Sequence, residues 1–140
     1  MTLTLQLLFP EPRLSVGIPI IGCPDYMGLL VDRAKRNKVP LDDPGHFPES
    51  FKSLAARTSP ASVAYIDTDP SKNPFIGRKI LVMSGKDDAL VPWDASEEFV
   101  GALEVGEDGV KEVMVQEGTG HECTPEMVNK LAGFLLEKVL

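Results

Sequence analysis

Residues 79–140 constrain the fold most. Lys79-Ile80-Leu81-Val82-Met83-Ser84-Gly85 is a near-continuous apolar run, which predicts a strand buried on both faces. Asp94 to Leu103 then predicts a helix. Val110 to Gln116 alternates as a strand does, with Val113 and Val115 on one side and Glu112 and Met114 on the other. A closing helix is expected from Thr124 to Leu140, where Met127, Leu131, Phe134, Leu135 and Val139 recur at helical spacing and Thr124-Pro125-Glu126 supplies a cap and a first-turn proline. Strand, helix, strand, helix in that order requires parallel neighbours joined by right-handed crossovers.

Upstream the pattern is more broken. Thr2 to Phe9 predicts the tail of a helix, stopped by Pro10-Glu11-Pro12. Leu14 to Gly22 is rich in β-branched residues and predicts a buried strand, although Pro19 forfeits one ladder hydrogen bond. Pro24 to Asn37 reads as an amphipathic helix with Pro24 in its first turn, and Glu49 to Arg57 as a second helix after a loop from Val39 to Pro48. Ser59-Pro60 opens a short third one running to Tyr65. The fold expected is therefore α/β, with about three parallel strands and flanking helices. It divides into residues 1–23 (a helix remnant and the first strand), 24–78 (a helical insertion) and 79–140.

Composition narrows the function. Fourteen basic against 21 acidic side chains give a formal charge of −7, which disfavours phosphate-backbone contacts, so no nucleic-acid partner is expected. The N-terminal apolar stretch has no basic flank and stops at Pro10, so neither a signal peptide nor a membrane span is expected, and a cytoplasmic setting is the default. Cys23 and Cys123 match no zinc spacing, and no metal or cofactor is expected.

In an open parallel sheet, chemistry collects beyond the carboxyl ends of the strands. Asp88 follows the strand ending at Gly85, and His121 follows the strand ending near Gln116, in Gly118-Thr119-Gly120-His121. A carboxylate beside a histidine fixes the imidazole tautomer and stabilises its protonated form, which is half of a nucleophilic-catalysis triad. Each residue alone has an ordinary reading: Asp87-Asp88 after a glycine is common turn chemistry, and His121 sits in a polar loop. Cys23 ends the first strand on the same edge, where it is either a small buried cysteine or a thiolate served by His121.

Gly85-Lys86-Asp87-Asp88-Ala89-Leu90-Val91-Pro92 resembles the glycine, two residues, acid, two residues, valine-proline signature of the α/β-hydrolases, and Gly120-His121 before a terminal helix is similar too. The resemblance implies the C-terminal half of an α/β-hydrolase of the fungal serine esterase or prolyl-oligopeptidase type. It makes Asp88 the acid, His121 the base, Asp87 a turn residue, and 24–78 a cap-like insertion. It also implies an ester or amide substrate. The family's G-x-S-x-G nucleophile elbow and its earlier oxyanion loop have no counterpart. The nearest serine contexts, Arg13 to Gly17 and Val82 to Gly85, lie inside expected strands. The expectation is thus a truncated hydrolase, inactive as an isolated chain. Its alternatives are a non-catalytic partner-binding half-fold and a half-enzyme completed by another chain. A homodimer or a partner chain is expected to cover Val16 to Ile21, since an uncovered strand edge templates pairing.

Overall fold

The computed structural model describes residues 3–140, so Thr2, expected in the first helix, lies outside the described residues. The elements run α1 (Leu3–Leu8), β1 (Val16–Gly17), α2 (Tyr26–Asn37), α3 (Glu49–Thr58), a 3₁₀ turn (Pro60–Ser62), β2 (Lys79–Gly85), α4 (Asp94–Ala102), β3 (Val110–Gln116) and α5 (Pro125–Phe134), which continues as π-helix over Leu135–Val139. The strands form one parallel sheet in the order β1-β2-β3. No helix among the described residues is long and apolar enough to cross a membrane.

β2 is the axis of this sheet. Its alternate side chains enter two cores. Ile80 and Val82 pack with Leu5 and Leu8 of α1, Phe99 and Val100 of α4, and Phe75, while Leu81 and Met83 pack with Met127 and Phe134 of α5. Helices on both faces are what an apolar parallel strand requires, since neither of its faces tolerates water. β3 divides the same way, with Val115 against the first core and Val110 and Met114 against the second.

The first strand is shorter than the sequence predicts. Only Val16–Gly17 is regular, followed by an isolated bridge between Ile20 and Met83. Pro19 is the cause: the register puts its position opposite the Leu81 carbonyl, and proline has no N–H to give. On either side the ladder persists, Lys79 donating to the Ser15 carbonyl (2.9 Å), Met83 to that of Pro19 (3.0 Å), and Ile21 to that of Met83 (2.8 Å). Ile21 then takes a left-handed backbone (φ 54°) and ends the extended run. By the same parity the N–H and C=O groups of Val16, Ile18 and Ile20 face away from β2. Among the described residues they have no hydrogen-bond partner.

Two helix starts also differ. α2 begins at Tyr26 and not at Pro24, because Asp25 is its cap, its carboxylate accepting from the Gly28 N–H (2.9 Å). Pro24 is held elsewhere, its carbonyl taking the Ser59 hydroxyl (2.8 Å). The helix expected from Ser59-Pro60 to Tyr65 is a single 3₁₀ turn. Beyond it the chain is pinned by buried Asn73, whose side-chain amide donates to the carbonyls of Tyr65 (3.0 Å), Asp67 (2.8 Å) and Glu104 (3.1 Å) and accepts from the Phe75 N–H (2.9 Å). Asn73→Ala removes these bonds from a part-buried turn and leaves the buried Phe75 N–H without its acceptor. It is expected to lower the unfolding free energy by roughly 2–3 kcal/mol, seen as a lower urea midpoint with an unchanged slope.

Candidate active site

Asp88 and His121 are 33 residues apart in sequence and meet beyond the carboxyl ends of β2 and β3, with His121 Nδ1 2.8 Å from Asp88 Oδ2. The meeting depends on how the two strands end. A Cβ at Gly85 would overlap the carbonyl oxygens of Thr119 and Gly120, so the loop after β3 lies directly on the end of β2. Two backbone bonds tie the loops together, Lys86 donating to the Gln116 carbonyl (2.8 Å) and Asp87 to that of Thr119 (3.0 Å). Gly118 supplies the left-handed turn (φ 67°) that sends the chain back across. Downstream, the Thr124 hydroxyl caps α5 at the Met127 N–H (3.2 Å) and donates to Gln116 Oε1 (2.6 Å), which binds the helix to the end of β3.

The Asp88 carboxylate is fully engaged. Its side chain is 1% exposed, against 41% for that of His121. Oδ1 accepts from the backbone N–H groups of Leu90 and Val91, both at 2.8 Å, and Oδ2 is left for the histidine. Burial by itself pushes this acid up, but the Val91 N–H, the His121 ring and the Leu90 N–H together outweigh it, so its pKa lies below the ordinary carboxylate value. An ionised carboxylate only accepts hydrogen bonds, so His121 Nδ1 carries the proton and the neutral ring keeps its lone pair on Nε2. No partner among the described residues takes that nitrogen. Chemically the pair is an oriented base facing solvent.

Nothing among the described residues is placed for the base to activate. No serine hydroxyl or cysteine thiol is hydrogen-bonded to His121; the hydroxyls of Ser59, Ser62 and Ser96 are given instead to the carbonyls of Pro24, Ser59 and Gly22. Cys23 is buried beside Leu29 and Val91, and its thiol donates to the Asp25 carbonyl (3.0 Å). Burial pushes that thiol up, and a bond to a carbonyl is one only the protonated form can make, so the small buried cysteine is the reading the geometry supports. Cys123 is exposed. Among the described residues no group of histidine, cysteine and carboxylate side chains is arranged to hold a metal ion. Asp87 is exposed, and its part in the site is its backbone N–H alone.

No protein-family model and no curated protein matches the chain. Among solved structures, it is similar to a bifunctional GH43-CE protein of Bacteroides eggerthii, with a TM-score of 0.55 and 20% identity over 90% of this chain and 17% of that one. At this identity the likeness is one of fold, and the chain spans a small part of that protein's length.

These findings correct the family assignment drawn from Gly85–Pro92 and Gly120-His121. The match is to a bacterial bifunctional GH43-CE protein and is a likeness of fold alone, which does not support a fungal serine hydrolase of the esterase or prolyl-oligopeptidase type. The physical reason is visible in the loop. Gly85 is required by the chain that crosses it, and the positions after Asp88 are set by the backbone groups that fold back onto its carboxylate, so the spacing has a local cause and does not by itself assign a family.

Because the native pKa of Asp88 is depressed, its bonds stabilise the fold fully above the ordinary value of 3.8, and that contribution is lost as pH falls through the lower native value. The stability gap between the unaltered chain and Asp88→Asn is therefore expected to be widest near neutral pH and to narrow below 3.8, as followed by urea denaturation across pH.

Proposed function

We propose that this chain carries the base of a hydrolase: Asp88 orients His121, and His121 Nε2 removes a proton from a nucleophile delivered from outside the described residues. The observation that carries the reading is the bond between a buried, ionised acid and a half-exposed histidine whose second nitrogen is unclaimed. His46 also stands 2.8 Å from a carboxylate, that of Asp43, but neither member of that pair is buried, whereas the acid that orients His121 is withdrawn from water. Ester or amide cleavage is the reaction class such a base serves.

The missing nucleophile and the unpaired edge of β1 support one arrangement. Val16, Ile18 and Ile20 offer their backbone groups outward along a stretch with no charged residue, whereas β3 carries Lys111 and the Glu112–Lys130 ion pair (2.5 Å). Charge blunts an edge against pairing, and its lack leaves one open. A parallel strand added to β1, from a second copy or from another chain, ends on the same side of the sheet as Asp88 and His121. Without it the chain is a weak hydrolase that lets His121 activate water. The same edge favours a second reading, in which the chain pairs with a partner through β1 and the Asp88–His121 pair has no catalytic duty.

A fluorophosphonate probe is expected to leave the isolated chain unlabelled, while slow cleavage of p-nitrophenyl acetate falls roughly 100-fold in His121→Ala. Strong labelling of this chain alone sinks the external nucleophile, and cleavage indifferent to His121→Ala leaves the partner-binding reading. The edge itself is tested by hydrogen exchange with analytical ultracentrifugation. Slow exchange at Ile18 and Ile20 in a species larger than one chain is expected, and a monomer in which both amides exchange freely argues against pairing at β1.

A further inference from the structure

Two of the donors on the Asp88 carboxylate are backbone N–H groups, and each of those peptide groups is gripped at its other end by an arginine of α2. The Leu90 N–H that bonds Asp88 Oδ1 belongs to the same peptide group as the Ala89 carbonyl, which accepts from Arg36 Nη1 (3.1 Å). The Val91 N–H that bonds the same oxygen belongs to the same peptide group as the Leu90 carbonyl, which accepts from Arg33 Nη2 (2.9 Å). In a planar trans peptide the C=O and N–H point in opposite directions, so a donor that fixes the one aims the other. Two guanidinium groups thus stand behind two consecutive peptides, and both peptides point at one carboxylate oxygen.

We infer that Arg33 and Arg36 are positioning residues for His121, acting through the Ala89–Val91 backbone on Asp88. A cation on a carbonyl oxygen polarises the peptide and strengthens the bond its N–H donates, as expected of hydrogen bonds in series. The loop has little else to hold it in this form: Ala89 and Leu90 are exposed, and Val91 is anchored in the small cluster with Cys23 and Leu29, the latter from α2 itself. Arg36 is in turn steadied by an ion pair with Asp32 one helical turn back. With Oδ1 held by the two N–H groups, Oδ2 faces Nδ1, and the imidazole is confined to the tautomer that leaves Nε2 as the base. A segment 53 to 57 residues upstream of this loop therefore sets the state of the histidine.

This deepens the reading of His121 as a base and rests on it for its consequence, but its test reads the ring without any substrate. In the full ¹⁵N-labelled chain, long-range ¹H–¹⁵N spectra of neutral His121 are expected to show the Nδ1-protonated form, with Asp88 titrating low by ¹³C carboxyl shifts. In Arg33→Ala/Arg36→Ala the ratio of the Nδ1–H to the Nε2–H form is expected to fall about tenfold, the worth of one charge-assisted bond, and the Asp88 titration to move up. Alanine favours helix and both arginines are on its surface, so α2 is retained, which circular dichroism checks. Arg33→Lys/Arg36→Lys keeps a cationic donor at each site and is expected to restore most of the ratio. An unchanged ratio in the alanine pair overturns the inference, as does a lysine pair that behaves like the alanine pair. If the double variant unfolds α2, the two single alanine variants decide, each expected to show a partial fall. These outcomes are independent of the hydrolase reading, which fails or stands on the cleavage assays alone.

Discussion

The site depends on a close approach at Gly85, where the loop after β3 rests its Thr119 and Gly120 carbonyls against the last residue of β2. No side chain fits there. With glycine in place, the backbone of Lys86 and Asp87 is close enough to bond the β3 side, and the two strand ends are locked at a spacing that one carboxylate–imidazole bond spans. Neither Asp88 nor His121 is brought there by attraction between them. The geometry is imposed by the sheet and its two cores, which fix where the two strand ends lie.

The electrostatics of the pair follow from how unequally its members are buried. Asp88 is withdrawn from water, which alone would protonate it, and it stays charged because three donors converge on two oxygens. His121 keeps a face in solvent. A charge fixed by backbone dipoles thus stands beside a group open to water, and the buried acid is kept ionised only by the donors that fold onto it.

The sheet itself is unevenly finished. β2 is enclosed by helices on both faces and strands on both sides, while β1 is narrowed by Pro19 and turns the backbone groups of Val16, Ile18 and Ile20 outward without partners among the described residues. Pro19 limits the damage of a mispaired edge only on the side facing β2. The outer side keeps full hydrogen-bonding capacity along an uncharged stretch.

Periodicity along the chain determined the elements of the second half by itself. Lys79–Gly85 and Val110–Gln116 are strands with the expected ends; the near-apolar first run is buried on both faces, while the second is half-buried along its length with Val113 exposed, so its alternation marked the strand without marking its buried side. It also located Asp88 and His121 beyond strand ends, since parallel order alone dictates which ends are shared. What it left undecided was every feature that depends on a distant neighbour. The Asp25 cap displaced Pro24 because Ser59 claims the proline's carbonyl, Leu14–Gly22 narrowed because of where Pro19 falls opposite Leu81, and a loop motif that resembled one family reflects the chain lying across Gly85. The grip of Arg33 and Arg36 on Ala89 and Leu90 leaves no trace in local pattern, where both arginines read as the polar face of a helix. Local sequence carries local burial; which peptide a remote guanidinium reaches is settled only when the sheet has set the distances.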